Sequence, residues 1–298
     1  MTRSVRLTTI LAVLVLVVAC GDRNDPILRL SSEEAYTQGK ALFDDGKYNQ
    51  ARRYLVHAFE VEPNSRLGRE ALLLAADAFY SQGNDENYIK CEAKYRDFLN
   101  RFPTSERAAY AQFRIGLCLA ARAERPDRDQ SITTTAIAAF EELLRLYPGS
   151  EYVPEARQQI VEMTDRLAEH ELVVGTFYNR FGRRGICQAS IGRLEYLKEE
   201  FPRFSRMDEA LYQLSIGYER CRRFADAAEA LSDLERRFPE SLRLEEARER
   251  LPELQDFARQ AEALKAQAEA AAQAAEEAQD ADEEPDAPEE DEAAGGPA

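Results

Sequence analysis

The chain predicts an all-α fold of about five stacked helix–turn–helix repeats, closed by a C-terminal capping helix. Three observations carry this. An aromatic residue followed by proline recurs at Phe102-Pro103, Tyr147-Pro148, Phe201-Pro202 and Phe238-Pro239, with a degenerate first copy at Glu62-Pro63. These prolines are 40, 45, 54 and 37 residues apart, and each closes an apolar helical stretch. Proline has no N–H for the helix ladder and pushes its predecessor out of the αR region, so it stops a helix cleanly. A stop at this period marks stacked helical repeats. The third observation is that no alternating Val/Ile/Thr stretch reads as a strand.

The spacing inside the repeats narrows the type. In the first, Gly39-x2-Leu42 precedes Ala51-x3-Leu55-x2-Ala58 and Pro63. The fifth has Leu211-x2-Leu214-x3-Tyr218, then Ala227-x3-Leu231-x2-Leu234 and Pro239. Both follow the tetratricopeptide pattern, in which small residues sit where two antiparallel helices cross closely and large ones fill the gaps beside them. Copy three carries Ala136-x3-Phe140-x2-Leu143 and Pro148, but its small residue, Gly116, falls about eight residues early. The segment holding Pro126-Asp127-Arg128-Asp129-Gln130 is therefore an insertion. Copies two and four are looser: Cys91-x3-Tyr95-x2-Phe98 before Pro103, and Ser190-x3-Leu194-x2-Leu197 before Pro202. Repeats one to three occupy residues 28–150, and repeats four and five occupy 151–242.

The N-terminus sets an address. Arg3 and Arg6 precede an apolar run from Ile10 to Val18, then Val17-Val18-Ala19-Cys20. A basic start, a short apolar stretch and small residues before a cut describe a secretory signal over 1–19, too short to span a bilayer. Cysteine directly after Val-Val-Ala resembles the bacterial lipobox, which implies a covalent lipid on Cys20 and a lipidated tether over 20–27. Several acyl chains on one residue anchor firmly where a single chain binds only marginally.

The formal charge of −16 is uneven. Residues 276–298 hold eleven acids and no Lys or Arg, and the signal carries +2, which leaves about −7 for 20–275. That mild acidity argues against nucleic acid as a partner. After Pro239 the composition turns to Ala, Glu, Gln and Arg. Leu244, Leu251, Leu254, Phe257, Ala261 and Leu264 are spaced for one apolar face, predicting a helix over 243–279 that first caps the stack and then runs into solvent. Residues 280–298 read as an acidic, disordered tail.

With Cys20 assigned, Cys91, Cys118, Cys187 and Cys221 remain in an oxidising compartment, where two bridges in three connectivities are open. Cys187 and Cys221 lie near turns of neighbouring repeats, and Cys91 and Cys118 lie in helices able to face each other. Buried free thiols are the other reading. His57 and His170 sit on separate helices, with no nucleophile or metal-ligand spacing beside either, so both read as packing or surface positions. No Gly-rich phosphate loop is present. An enzyme is not expected, and neither is a cofactor beyond the lipid, nor a metal.

The order of features resembles the BamD (ComL) family, the lipoproteins of the outer-membrane β-barrel assembly machinery. The resemblance covers roughly residues 28–242. Its most specific stretches are Tyr110-Ala111-x-Phe113-Arg114-Ile115-Gly116-Leu117, Arg128-Asp129-Gln130 in the insertion, Tyr147-Pro148-x-Ser150-x-Tyr152, and Leu167-Ala168-x-His170-Glu171 continuing to Phe177-Tyr178. A longer loop after Tyr178, four extra cysteines and the acidic tail depart from the family.

The resemblance implies an outer-membrane adaptor, lipid-anchored at the periplasmic face. Its N-terminal repeats would engage targeting segments of unfolded outer-membrane proteins, and its C-terminal repeats the periplasmic domains of the BamA insertase, alongside other lipoproteins of the complex. Tyr36, Phe79, Tyr80 and Tyr110 offer aromatic surface to such a segment and Arg114 a partner for a carboxylate, although aromatics at helical spacing also build cores. Arg193, nine residues before Pro202, matches a family arginine that faces the insertase. A solvated arginine, or an ion pair with Glu195 or Glu219, is the alternative. Two other functions fit a repeat lipoprotein: a scaffold for pilus-secretin assembly or envelope division, and a spacer between envelope layers.

Overall fold

The structure, a computed structural model, describes residues 25–180 and 184–282. The signal segment, Cys20, the loop after Arg180 and the end of the acidic tail lie outside the described residues. A 3-10 turn at Pro26–Arg29 leads into α1 (Ser32–Asp44) and α2 (Tyr48–Val61). These are followed by α3 (Arg66–Gln82), α4 (Asp85–Arg101), α5 (Ala108–Ala120), α6 (Ser131–Leu146), α7 (Val153–Arg180) and α8 (Arg184–Glu200). α9 (Met207–Arg220), α10 (Phe224–Arg237) and α11 (Leu244–Asp282) complete the series. No strand occurs among the described residues. The architecture is the expected one: five antiparallel helix pairs of tetratricopeptide type and a capping helix.

One turn recurs between the pairs. The residue before each proline leaves the helix with φ near −130° and positive ψ: Glu62, Phe102, Tyr147 and Phe238 all do so. Three residues later the backbone N–H of Ser65, Ser105, Ser150 or Ser241 donates back to that residue's carbonyl at 3.0–3.1 Å. The serine hydroxyl then accepts from the opening backbone of the next helix, as Ser65 does from Gly68 at 2.9 Å and Ser241 from Arg243 at 3.1 Å. The aromatic-Pro-x-Ser motif is thus a stop and a start in four residues, because the serine satisfies N–H groups that a helix leaves unpaired.

The pairs close where the small residues were expected. A Cβ on Gly116 would lie 2.3 Å from the Phe140 ring, and one on Gly39 2.8 Å from Leu55. Gly116 meets its partner eight residues later in the chain than Gly39 does, which is the length of the insertion. That insertion is built rather than loose. Gln130 Nε2 donates to the Arg125 and Arg128 carbonyls, and Arg166 Nη1 donates to the Glu124 carbonyl at 2.7 Å. His170 Nδ1 lies 2.6 Å from the Pro126 carbonyl, and His57 Nε2 lies 3.1 Å from that of Leu30, so both histidines serve local backbone.

The chain forms two compact units, one ending at His170 and the other beginning at Glu171. The division between these units falls inside α7, and Ala156 and Met163 belong to the first unit's core. In that unit the chain is already pinned at Asp25, within the stretch read as tether: Asp25 accepts from Ile27 N–H and pairs with Arg53 at 2.6 Å. In the second unit α11 packs through Ala247 and Leu254, and Phe257 reaches Phe224, ring centroids 5.3 Å apart. From Arg259 to Glu277 the helix is exposed, with Leu264 at 66%, so Ala261 and Leu264 extend the apolar spacing without being covered.

Candidate binding groove and docking residues

In the first unit, the predicted peptide-contacting residues divide between a buried network and an open groove. Asp77 and Tyr80 come from α3, Tyr95 from α4, and Tyr110 and Arg114 from α5. Tyr95 and Tyr110 both donate their phenolic O–H to Asp77 Oδ1, the latter at 2.6 Å. Arg114 Nη2 lies 3.1 Å from the same oxygen, its Nε donates to the Tyr95 hydroxyl, and its guanidinium lies 4.1 Å from the Tyr80 ring centroid. Burial, and then the Asp77 charge, push both phenols upward. Burial works against the Arg114 charge, but Tyr95 and Asp77 outweigh it and hold the guanidinium. The carboxylate expected for Arg114 is thus supplied from within the chain. Tyr80 and Tyr110 serve this network, which joins repeats two and three, and Phe79 lies under Arg52, 4.1 Å from its guanidinium.

Tyr36 stands apart from that network. It lines an open groove of about 1180 Å3 with the first turn of α3 and the turn joining α4 to α5. Arg66, Arg69, Arg101 and Arg107 face it against Glu70 and Glu106, while Leu67, Phe102 and Pro103 supply apolar surface. Arg69 donates to the Asn64 carbonyl and Arg101 to Asp97. Arg107 Nε lies 3.6 Å from Glu70, too far for a hydrogen bond, and is buried without one. Four arginines against two glutamates leave the lining cationic, which suits an anionic group. These arginines escaped the sequence reading because they lie at helix ends around the proline turns. Their recurrence two to six residues from Pro63 and Pro103 was the available signal.

In the second unit, Arg193 Nη1 pairs with Glu171 at 3.1 Å, its side chain 49% exposed and that of Glu171 11%. The internal partner is therefore Glu171, not Glu195 or Glu219. Glu195 instead accepts from Tyr218 at 2.6 Å, and Glu219 is held by Arg250. The four remaining cysteines form two disulfides, Cys91–Cys118 between α4 and α5, and Cys187–Cys221 between α8 and the end of α9.

Stacked helix pairs of this type define a helical-repeat protein. Residues 29–226 match the family model described as YfiO, outer membrane lipoprotein, and the chain belongs to that family. The outer membrane protein assembly factor BamD of Haemophilus influenzae is 28% identical over 228 residues, covering 73% of this chain and 85% of its own length. The protein of that name from Caulobacter vibrioides is 30% identical over 186 residues, covering 62% and 59% respectively. That from Pasteurella multocida is 26% identical, covering 68% and 80%.

Proposed function

We propose that the chain is a lipid-anchored adaptor of outer-membrane protein assembly, acting at the periplasmic face of the outer membrane by binding rather than catalysis. Family membership and the names of its relatives support the process. Val-Val-Ala-Cys20 after an apolar stretch supports the anchor, and among the described residues no helix is long and apolar enough to cross a membrane. The observation that carries the reading is the groove beside Tyr36. Its arginines and its Leu67–Phe102 floor suit an extended segment that ends in an aromatic residue and a free carboxylate. The client is thus an unfolded outer-membrane protein presenting such an end, and the receiving site is this groove rather than Arg114. The second unit docks the BamA-type insertase through the exposed face around Arg193.

Two experiments test this. Cys20→Ala abolishes metabolic palmitate labelling and releases the protein from the outer membrane; labelling at the wild-type level refutes the anchor. Co-purification from solubilised envelopes recovers the barrel-forming insertase. Recovery of a secretin or division complex in its place contradicts the process assigned.

A further inference from the structure

The two disulfides have opposite surroundings. Cys91 and Cys118 are both fully buried, their sulfurs enclosed between α4 and α5 among core side chains. Cys221 is only partly buried, in the turn between α9 and α10. Its partner Cys187 is 4% exposed and belongs to the first turn of α8, which begins at Arg184. Arg220 and Arg222 flank Cys221 and are exposed, and Arg222 holds φ +59°, a left-handed backbone that a side chain with a Cβ adopts at a cost. The Cys187 and Cys221 Cα atoms are 5.7 Å apart, so the bridge ties the start of α8 to this strained turn.

We infer that Cys187–Cys221 is an exchangeable disulfide, a site for a dithiol/disulfide oxidoreductase of the envelope, whereas Cys91–Cys118 is sealed. The chemistry follows from access and charge. An incoming thiolate reaches the Cys221 sulfur, forms a mixed disulfide there and expels Cys187 as a thiolate. The second thiol of the reductant then attacks the mixed disulfide and releases Cys221, whose thiolate lies beside the cations of Arg220 and Arg222. The reductant becomes a disulfide, and this chain gains two electrons and two protons. In the reverse direction the oxidised enzyme accepts them and closes the bridge. Opening frees the first turn of α8 from the α9–α10 turn. Arg193 lies less than two helical turns further along α8, so the redox state acts on the surface assigned above to docking.

The test uses the full chain in native buffer and does not depend on the identity of any docking partner. The protein is incubated with dithiothreitol, and in a parallel arm with a periplasmic-type dithiol oxidoreductase. Exposed thiols are trapped with a maleimide at intervals and located by peptide mass mapping. Cys187 and Cys221 become labelled roughly tenfold or more faster than Cys91 and Cys118, which react only once the protein is unfolded. Simultaneous labelling of all four cysteines, earlier labelling of Cys91 and Cys118, or no native labelling of Cys187 and Cys221 overturns the inference. Arg220→Glu/Arg222→Glu, at exposed positions, slows release of Cys187 and Cys221; an unchanged rate removes the electrostatic part of the account.

Discussion

The two units are made of the same repeat but put their charges to different use. In the first, one carboxylate, Asp77, is shared by two phenols and the mostly buried Arg114, whose side chain is 16% exposed. In the second, the comparable pair, Glu171 and Arg193, leaves its arginine half in solvent. A buried charge without its partner costs several kcal/mol, whereas a half-exposed pair contributes about 1 kcal/mol or less. The first unit thus commits its charges to fixing repeats two and three, which present the groove. The second leaves an arginine that a partner can take over cheaply.

This contrast breaks most readily at Asp77. Asp77→Ala strands Arg114 and unpairs two phenols, and is expected to destabilise the protein by about 3–5 kcal/mol in denaturant unfolding. A loss below about 1 kcal/mol would mean that the network is incidental. Packing gives the next largest effect. Gly116→Val drives a side chain into the Phe140 ring and is expected to cost about 3 kcal/mol. In the second unit Gly192 has nothing within 4 Å of an added Cβ, so Gly192→Ala is expected to gain up to about 1 kcal/mol from helix propensity. Equal signs for these two substitutions would contradict the packing assigned to them.

Alkaline pH sharpens the same comparison. The Tyr95 and Tyr110 phenols are held above their ordinary value in the folded protein, so the unfolded chain loses its phenolic protons first. Their contribution is complete below about pH 10 and is lost as the pH rises towards the folded values. Denaturant midpoints are expected to fall as the pH rises above about 10, and to fall less in Tyr110→Phe. An equal fall in both proteins removes Tyr110 from the network. The smallest effect belongs to Glu171→Ala, which is expected to change stability by about 1 kcal/mol or less. Arg193→Glu, at the same pair, is expected to weaken insertase capture in a pull-down because it places like charge against an acidic partner; undiminished capture takes Arg193 out of the interface.

Much of this was legible because it is local. The four aromatic-Pro pairs locate the ends of α4, α6, α8 and α10, and Glu62-Pro63 that of α2, since proline acts on its immediate neighbour. Gly39, Leu55, Gly116 and Phe140 mark the helix crossings because tight packing selects residue size. Partners across repeats were not legible. Arg114 finds Asp77 on another helix pair, and Arg193 finds Glu171 rather than the nearby Glu195, because the stacking geometry chooses among acids that the sequence presents equally. The groove was missed for a related reason. Its arginines are scattered over helix ends, and only the proline turns bring Arg66 and Arg107 to one opening.

The central claim is that the groove of the first unit reads a terminal carboxylate, and calorimetric titration of the full chain tests it most directly. The ligands are two peptides of one sequence ending in an aromatic residue, one with a free C-terminus and one amidated. The free acid is expected to bind about ten- to a hundredfold more tightly, as charge-assisted hydrogen bonds to the arginines require, and Arg66→Ala/Arg107→Ala should erase that difference. Equal affinity for acid and amide, or a difference that survives in the double variant, would contradict the account.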